Sequence, residues 1–539
     1  MHGARAIRSR PAGAGMVAAL AAAALAAALL QGGERSEAAS AKPNVIVITT
    51  DDQTARDMIA LPQTQNLIGA AGASFPNMFD SYPLCCPSRA TYLSGQHAHN
   101  HGVLGNTAPD GGYALLNDKQ TVPVWMQAAG YHTIHIGKMP NGYAEKDQAY
   151  VPPGWRLPQG EFYGFVPDPP SAYFGFKLNE NGLVRQRGAA DYQTDVYAEL
   201  ANSRIDLHQV TEPNEPVFMM LQFFAPHDPA TPATRHLGAF STALLPRDKS
   251  FNEKDISDKP AWLRVVKRMG GGLVSKVQTR YRNRLASLLA VDEAVSSLVA
   301  NLQSEGILDN TYVIFTSDNG FMQGQHRLHQ GKFVAYDASS KVPLLIRGPG
   351  IAAGTVSKAL VSNVDLVPTI LDIAGASPGV TQDGRSLLRF ARNPAERTRR
   401  PILLETGRPI ALADPASAAG GKSSRKKSSI YVKNLDLDRT AQLSGRVIKP
   451  PKYRAIRTGR YLLIKYSDGG RELYDIKVDP LQLDSVYKSG RYRAIKKYLL
   501  KKLAALTPCV GPSCYPEIDK PPKPLPPKRA RKKGKKPSG

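Results

Sequence analysis

The chain has 539 residues, with 70 lysines and arginines against 45 aspartates and glutamates, which gives a formal net charge of +25. With 42% hydrophobic residues and only four cysteines, the composition excludes both a wholly disordered chain and a small disulfide-stabilised fold. The length allows two to four domains, or one large α/β domain with an appendage.

The N-terminal segment 1–41 is predicted to be a signal peptide. Three arginines and no acid lie in residues 1–15, an apolar run follows over residues 16–30, and Ala39-Ser40-Ala41 offers a small-residue cleavage site. The alternative is a single membrane anchor, but about 15 apolar residues are short for a bilayer span. We therefore expect a secreted or periplasmic protein that begins near Lys42 and has no stable membrane insertion.

Residues 42–400 are predicted to form the largest domain, in which strands alternate with helices. The candidate buried strands are Val45–Ile48, Thr133–Ile136, Val217–Phe223, Tyr312–Phe315 and Val342–Ile346. Between the third and fourth strands, apolar residues recur at helical spacing over Arg284–Leu302. This alternation predicts an α/β fold with a large mixed, mostly parallel sheet flanked by helices.

Charged or ligating side chains follow four of these strands. They are, in chain order, Asp51, Asp52, Lys138, His227, Asp318 and Asn319. Taken singly each signal is weak, because Asp-Asp and Asp-Asn-Gly also occur in helix caps and turns. Parallel strands end at one edge of a sheet, where ligands bind in open α/β folds. Three carboxylates and an amide oxygen at that edge predict a cation site that suits Ca²⁺ or Mg²⁺ rather than Zn²⁺.

The C-terminal part is predicted to contain three segments. Residues 401–452 are a linker with a flexible basic loop at 414–429, residues 453–508 are a small α+β subdomain, and residues 509–539 are a Pro/Lys-rich disordered tail. The strands and helix predicted for the subdomain are Tyr453–Ile456, Tyr461–Tyr466, Glu472–Ile476 and Arg491–Leu506. Tight turns at the glycines between these strands predict a small antiparallel sheet closed by a helix.

The positive charge is not confined to the tail and suits an anionic glycan or cell-wall polyanion as a partner, unless it serves only solubility. We find no nucleic-acid-binding motif, and export also argues against a nucleic-acid partner. Cys509 and Cys514 flank a Gly-Pro turn and either form a local disulfide or remain two free thiols.

Residues 85–95 read CCPSRATYLSG and resemble the signature of the sulfatase family. That signature is Cys-x-Pro-Ser-Arg, followed after a few residues by Ser/Thr-Gly. The resemblance covers most of residues 42–490, including Asn44–Gln53, Thr316–Lys332 and the ELYDIKVDP stretch at 472–480. It implies an alkaline-phosphatase-like fold and the hydrolysis of sulfate esters.

The resemblance implies that Cys85 is converted to formylglycine by a maturation enzyme that reads the unfolded chain during export. It also implies Ca²⁺, with Mg²⁺ as the alternative. The implied ligands of the cation are Asp51, Asp52, Cys85, Asp318 and Asn319. One hydroxyl of the hydrated aldehyde would attack sulfur, and the second would collapse the adduct and release sulfate.

Further roles follow from the same resemblance. Arg89 holds the aldehyde hydrate, and Lys138 and Lys332 bind sulfate oxygens. His227 is the first candidate for protonating the leaving oxygen, and Lys332 is the second; Asp318 is a candidate base for the attacking hydroxyl. Three histidines near the signature are expected to be hydrogen-bonded scaffold, with His99 the first candidate for an exception: His97, His99 and His101.

One departure concerns the base that assists sulfate release. Many family members carry Gly-Lys-x-His at this strand end, whereas Pro140 occupies the histidine position here. The form Gly-Lys-x-x-Asn-Gly, together with the double cysteine, resembles the N-acetylglucosamine-6-sulfatase and heparan endosulfatase branch, which implies a sulfated sugar rather than a small aryl sulfate. Two alternatives stay open: a phosphoester or phosphonate hydrolase of the same superfamily, and an inactive exported glycan-binding protein.

Overall fold

The computed structural model describes residues 42–167, 173–407 and 450–526, and the backbone of two short strands at Leu412–Ala413 and Val447–Ile448. The predicted signal peptide (1–41), the predicted basic loop (414–429) and the last part of the predicted tail (527–539) lie outside the described residues.

The strands and α-helices of the described residues are numbered in chain order. The strands are β1 (Asn44–Thr50), β2 (Ala73–Ser74), β3 (Met78–Phe79), β4 (His132–Gly137), β5 (Gly160–Val166), β6 (Lys177–Glu180), β7 (Leu183–Gln186), β8 (Val217–Gln222), β9 (Thr311–Ser317), β10 (Lys341–Val342), β11 (Leu344–Arg347), β12 (Thr355–Val356), β13 (Val361–Ser362), β14 (Ile402–Glu405), β15 (Leu412–Ala413), β16 (Val447–Ile448), β17 (Tyr453–Arg457), β18 (Tyr461–Tyr466) and β19 (Arg471–Asp475). The helices are α1 (Pro62–Thr64), α2 (Cys85–Ser94), α3 (Ala98–His101), α4 (Val122–Ala128), α5 (Gln193–Thr211), α6 (Ala261–Arg264), α7 (Gly271–Ser304), α8 (Asp337–Ser340), α9 (Leu366–Ala374), α10 (Leu388–Arg392) and α11 (Arg493–Leu506).

The main sheet has the strand order β12-β2-β11-β9-β1-β8-β4-β5-β6-β7. The five central strands, from β9 to β5, all run parallel. Every residue of β1 is buried, as expected for an apolar strand that is covered on both faces. The predicted fold, a large mixed and mostly parallel sheet flanked by helices, is therefore confirmed.

Helix α7 is the longest helix of the described residues and lies on one face of the main sheet. Its apolar residues, such as Leu288 and Val295, belong to the same core cluster as Ile46 and Met219 from the central strands. By length and composition alone α7 could cross a membrane, but 67% of its most apolar stretch is buried inside the protein. Its hydrophobicity therefore matches its position in the core.

The prediction of one strand over Val342–Ile346 is wrong. Pro343 separates β10 from β11, and the two short strands belong to different sheets. β10 joins β3 and β13, whereas β11 pairs antiparallel with β9 in the main sheet. A proline lacks the N–H that a continuous ladder needs, so the chain changes sheets at this residue.

The C-terminal sheet is antiparallel, with the order β14-β17-β18-β19. Its first strand, β14, lies within the segment that we predicted to be a linker. The buried apolar residues of β14 explain the difference, because they complete the core of this sheet: Ile402 and Leu404 pack with Tyr336 of the larger region. Helix α11 covers the opposite face of the sheet and begins at Arg493, two residues later than predicted.

The prediction of a disordered tail is wrong for residues 509–526, which have defined contacts. Cys509 and Cys514 form a disulfide, and the Glu517 carboxylate accepts hydrogen bonds from the Thr398 hydroxyl and the Arg399 amide at 2.6 Å each. These contacts hold the segment against the body of the protein.

Candidate active site

The polar residues predicted at the strand ends converge at the carboxyl edge of the main sheet. Thr50 of β1 is in register with Ser317 of β9, so Asp51 and Asp318 leave neighbouring parallel strands side by side. Lys138 follows β4, and the loop after β8 brings His227 to the same edge. The topology therefore assembles this group, as expected for an open α/β sheet.

Three carboxylates form the centre of the cluster. Ligand oxygens of Asp51, Asp52 and Asp318 lie within 4.8 Å of one another, and all three residues are buried. The Asp52 amide donates to Oδ1 of Asp318 at 3.0 Å, and Asp52 has a positive φ of 67°. This left-handed backbone conformation is uncommon for a residue with a side chain, and such strain concentrates at functional sites.

Asn319 completes an oxygen-rich cradle. Its amide nitrogen donates to Oδ1 of Asp52 at 2.6 Å, but its buried Oδ1 has no hydrogen-bond partner among the described residues. A buried oxygen without a donor is costly unless a ligand satisfies it. Carboxylate and amide oxygens are the preferred ligands of Ca²⁺ and Mg²⁺, so these residues fit a hard divalent cation.

Cys85 is the first residue of helix α2, and its side chain faces the carboxylates. Its Sγ lies 3.4 Å from Oδ1 of Asp51 and 2.7 Å from Nζ of Lys332. The residue is fully buried. Burial and the neighbouring Asp51 carboxylate raise the pKa of the Cys85 thiol well above its ordinary value, so the unmodified thiol is a poor nucleophile at neutral pH.

Arg89 lies one helical turn after Cys85 and points into the same cluster. Its Nε and one Nη each lie 2.9 Å from Oδ2 of Asp318, and its other Nη donates to the Lys138 carbonyl at 3.0 Å. Helix α2 thus supplies both Cys85 and a fixed positive charge beside Asp318.

Two lysines balance the remaining carboxylates, with Lys138 paired to Asp51 and Lys332 paired to Asp52. Burial opposes the charge of each lysine, but the carboxylates outweigh it and raise both lysine pKa values. Burial also acts to raise the pKa of Asp51, yet Lys138 and the other nearby cations lower it well below its ordinary range. Asp318 differs, because burial and the Asp51 charge raise its pKa to about 6.

His227 presents one ring nitrogen to the cluster. Its Nδ1 lies 2.8 Å from the Asp228 carbonyl, which can only accept, so Nδ1 carries a proton. Its Nε2 lies 3.7 Å from Oδ2 of Asp52. The ring packs against Phe224 with centroids 4.7 Å apart, so its orientation is held and Nε2 is available to exchange a proton with a ligand.

All nine predicted site residues therefore lie in one cluster, but one supporting residue was not predicted. Arg284 of helix α7 is fully buried and donates to the Asp52 carbonyl at 2.6 Å, the Pro226 carbonyl at 3.2 Å and the Asp57 carboxylate at 2.9 Å. It connects the loop of Asp52 to the loop of His227. Its core-facing position in an otherwise apolar helical pattern was the available signal.

The three histidines beside the signature helix lie outside this cluster. His99 contacts the Glu405 carboxylate at 2.9 Å and the Cys509 carbonyl at 2.9 Å, and the His97 amide donates to Asp383 at 2.7 Å. These contacts link α3 to the C-terminal segment and give His97 and His99 scaffold roles.

Comparisons with known proteins agree with this arrangement. The Sulfatase family model matches residues 43–376. N-acetylglucosamine-6-sulfatase of Capra hircus is 34% identical over 498 residues, covering 88% of this chain and 85% of that protein, and an arylsulfatase of Volvox carteri is 34% identical over 517 residues, covering 88% and 76%. A solved structure described as BT4656 in complex with its substrate D-glucosamine-2-N,6-O-disulfate matches with a TM-score of 0.67 and 24% identity, covering 86% of this chain and 97% of that one.

The chain thus belongs to the sulfatase family. Within the hydrolases it is a sulfuric ester hydrolase.

Proposed function

We propose that this protein removes sulfate from a sulfated sugar, with a substrate of the N-acetylglucosamine 6-sulfate type, and that Cys85 acts after conversion to formylglycine. The relative from Capra hircus carries that activity in its name, and the Gly-Lys-x-x-Asn-Gly segment at 137–142 resembles the same branch. The observation that carries the proposal is the position of Cys85, whose Sγ contacts both a carboxylate of the cation cradle and the Lys332 ammonium.

A divalent cation would be held by Asp51, Asp52, Asp318 and Asn319 together with residue 85. Ca²⁺ is the first candidate and Mg²⁺ the second, because both prefer oxygen ligands. When bound, the cation would neutralise part of the negative charge of the ester and stabilise a deprotonated hydroxyl on residue 85. The orphan Oδ1 of Asn319 and the three converging carboxylates support this assignment.

The Sγ of Cys85 occupies the position that an oxygen of the aldehyde hydrate would take. A serine hydroxyl there could attack sulfur but would leave a stable sulfate ester, whereas the hydrate has a second hydroxyl that allows release. Arg89 fixes Asp318 beside this position, so that a carboxylate is available to accept the proton of the attacking hydroxyl.

Lys138, Lys332 and His227 act on the substrate in this proposal. The two ammonium groups pair with carboxylates of the site and would also bind sulfate oxygens. In this buried environment they would offset the negative charge of the sulfate group. The His227 Nε2 would protonate the leaving sugar oxygen, since its Nδ1 is engaged by a backbone carbonyl. Pro140 has no group that could accept a proton, so it cannot assist sulfate release as a histidine at this position would.

Mass spectrometry of the tryptic peptide that ends at Arg89 tests the modification directly. We expect the mass of an aldehyde rather than a thiol at residue 85. Turnover of an aryl sulfate should fall to background in Cys85→Ala and persist in Cys86→Ala, a matched control because Cys86 is the adjacent buried cysteine and lies 3.5 Å from the Asn141 carbonyl instead. Hydrolysis that survives in Cys85→Ala would refute the nucleophile assignment.

Substrate comparison tests the chemical class and the sugar. An aryl sulfate should be cleaved much faster than the corresponding aryl phosphate; the reverse order would favour the phosphoester or phosphonate hydrolase. Among sulfated sugars we expect release from N-acetylglucosamine 6-sulfate, and preference for another sulfated position would overturn the branch assignment. Export is part of the proposal, and N-terminal sequencing of the protein recovered outside the cytoplasm should begin near Lys42.

A further inference from the structure

The C-terminal subdomain contains a concave site that shares no residue with the cluster around Cys85. Its volume is about 650 Å³, which is within the range of ligand pockets. We call this cavity the subdomain groove, and its lining includes Arg454, Lys465, Arg471, Leu500, Leu503 and Ala504. One wall is the edge of helix α11, and the other is the antiparallel sheet.

Three cations lie in one row across the sheet at this groove. Arg454 of β17 is directly opposite Lys465 of β18, and Lys465 is directly opposite Arg471 of β19. Residues paired in this way share a face of the sheet, and adjacent strands are about 4.8 Å apart. Like charges directly opposite each other are destabilising, so the row opposes the stability of the fold unless a counter-charge joins it.

The described residues provide little of that counter-charge. Glu405 of β14 pairs with Arg454 at 3.2 Å, but its oxygens are shared with His99. Across the described ranges 42–167, 173–407 and 450–526, no carboxylate forms an ion pair with Lys465 or Arg471. Lys465 is exposed to solvent, so its charge is available to a ligand.

The wall of the groove has a different chemistry. Leu500 and Ala504 of α11 present an apolar surface beside the cations, and Leu503 lies buried in the core between the helix and the sheet. On the same face of the sheet, the neighbouring row Ile456–Leu463–Leu473 packs under the helix. A ligand with anionic substituents and an apolar ring face matches this combination, because its charges would contact the row and its ring would contact the helix.

The charge of the surrounding chain favours an external polyanion over a segment of the protein itself. Residues 453–508 contain 13 lysines and arginines against five aspartates and glutamates. Residues 408–449, which precede the subdomain in the chain, contain nine basic residues and three aspartates. That segment would add positive charge to a groove that already has an excess.

We propose that the subdomain groove binds a sulfated polysaccharide chain at a site separate from the catalytic centre. The choice of a sulfated chain rests on the proposed function, whereas the choice of an anionic chain rests on the cation row. Binding here would hold a polymer on the enzyme while one of its residues occupies the site at Cys85, and it would lower KM for polymeric substrates without changing the turnover of small ones.

The test measures binding of full-length protein to heparin, to fully desulfated heparin and to polyglutamate, as a function of salt. In Lys465→Gln/Arg471→Gln we expect heparin affinity to fall about tenfold and the salt dependence to become shallower, because fewer counterions are released. The control is Arg493→Gln/Lys497→Gln, which removes the same charge from exposed positions of α11 outside the groove and should change affinity much less.

Equal losses in the two variants would show general attraction to a basic surface and would overturn the proposal. The assignment to a sulfated chain would be overturned if desulfated heparin bound as well as heparin. It would also be overturned if polyglutamate bound as tightly as heparin. Thermal melting separates misfolding from lost binding. Relief of the like-charge row should offset the loss of the hydrogen bonds that Arg471 donates to the Tyr466 and Gly470 carbonyls, so we expect the Tm of the groove variant to stay close to that of wild type. Turnover of an aryl sulfate should be unchanged in both variants, and this readout tests the proposed function independently of the groove.

Discussion

Replacement of Arg284 by methionine should weaken the fold and the active site together. The guanidinium is fully buried and bridges the Asp52 carbonyl, the Pro226 carbonyl and the Asp57 carboxylate. Methionine fills a similar volume but donates no hydrogen bond, so the carboxylate loses its buried cation and two carbonyls lose a donor.

The expected cost follows from the geometry. Removing one partner of a buried ion pair costs about 3–5 kcal/mol, because the remaining charge has neither water nor a counter-ion. Asp57 keeps hydrogen bonds from the Thr54 amide at 3.0 Å and from Gln323 at 3.3 Å, so we expect about 3 kcal/mol. That is a large fraction of a typical unfolding free energy of about 5–15 kcal/mol.

Urea unfolding, followed by tryptophan fluorescence, measures this cost, and aryl sulfate turnover measures the effect on the site. The double variant Arg284→Met/Asp57→Asn removes the orphan charge and should regain part of the lost stability. It should not regain activity, because the Asp52 and Pro226 carbonyls still lack their donor. Arg282→Met is the control: its Nε donates to the Ala243 carbonyl near the surface, and we expect a loss below about 1 kcal/mol.

Two results would refute the reasoning about Arg284. One is a loss of unfolding free energy below about 1 kcal/mol in Arg284→Met, within the range of ordinary surface substitutions. The other is full recovery of activity in the double variant, since it would mean that Arg284 acts only by neutralising Asp57 and does not position the two loops.

Three further predictions concern the acid, the cation cradle and the scaffold. His227→Ala should lower kcat by about 10²- to 10⁴-fold for a sugar sulfate but less for an aryl sulfate with a good leaving group; equal losses would contradict its role as the acid. A Ca²⁺ concentration a hundredfold above Kd should stabilise wild type by about 2.7 kcal/mol, and Asn319→Ala should shift the Tm titration to higher Ca²⁺; an unchanged titration would remove Asn319 from the cradle. Burial opposes charge on both partners of the His99–Glu405 pair, yet the pair raises the pKa of His99 above 6.5 and lowers that of Glu405 to about 2. Its contribution to stability is then complete between about pH 4.5 and 6.5, and is lost as pH rises through the raised His99 pKa or falls toward 2. Tm should therefore drop more steeply above pH 6.5 in wild type than in His99→Gln, and parallel profiles would contradict the pairing.

The central sheet and the site could be predicted because local patterns coincide with the topology there. Apolar runs mark β1, β4, β8 and β9, and the parallel pairing then brings the residues after them to one edge. The elements at the edges of the fold were harder to predict from the sequence. The break at Pro343 and the strand β14 depend on pairing partners that are distant in the sequence, and short strands carry little periodic signal of their own.

Arg284 shows why prediction from sequence motifs misses residues that support a site. Its neighbours Leu285 and Leu288 identify the helix, and an arginine in such a pattern is usually assigned to the solvent side. Only the folded chain shows that position 284 faces the loops of Asp52 and His227. A charged residue at a core-facing position of a predicted helix is therefore worth testing as a partner of buried carboxylates.

The helix that begins at Cys85 is buried along all ten residues. Another enzyme can reach residue 85 only before the chain has folded. The rate of folding therefore limits the time available for enzymatic oxidation of its sulfur. A molecule that folds before its Cys85 is oxidised keeps the thiol. Under the proposed conversion of Cys85, the specific activity of a preparation depends on the fraction of molecules that were oxidised before they folded, and production conditions that slow folding should yield a larger active fraction.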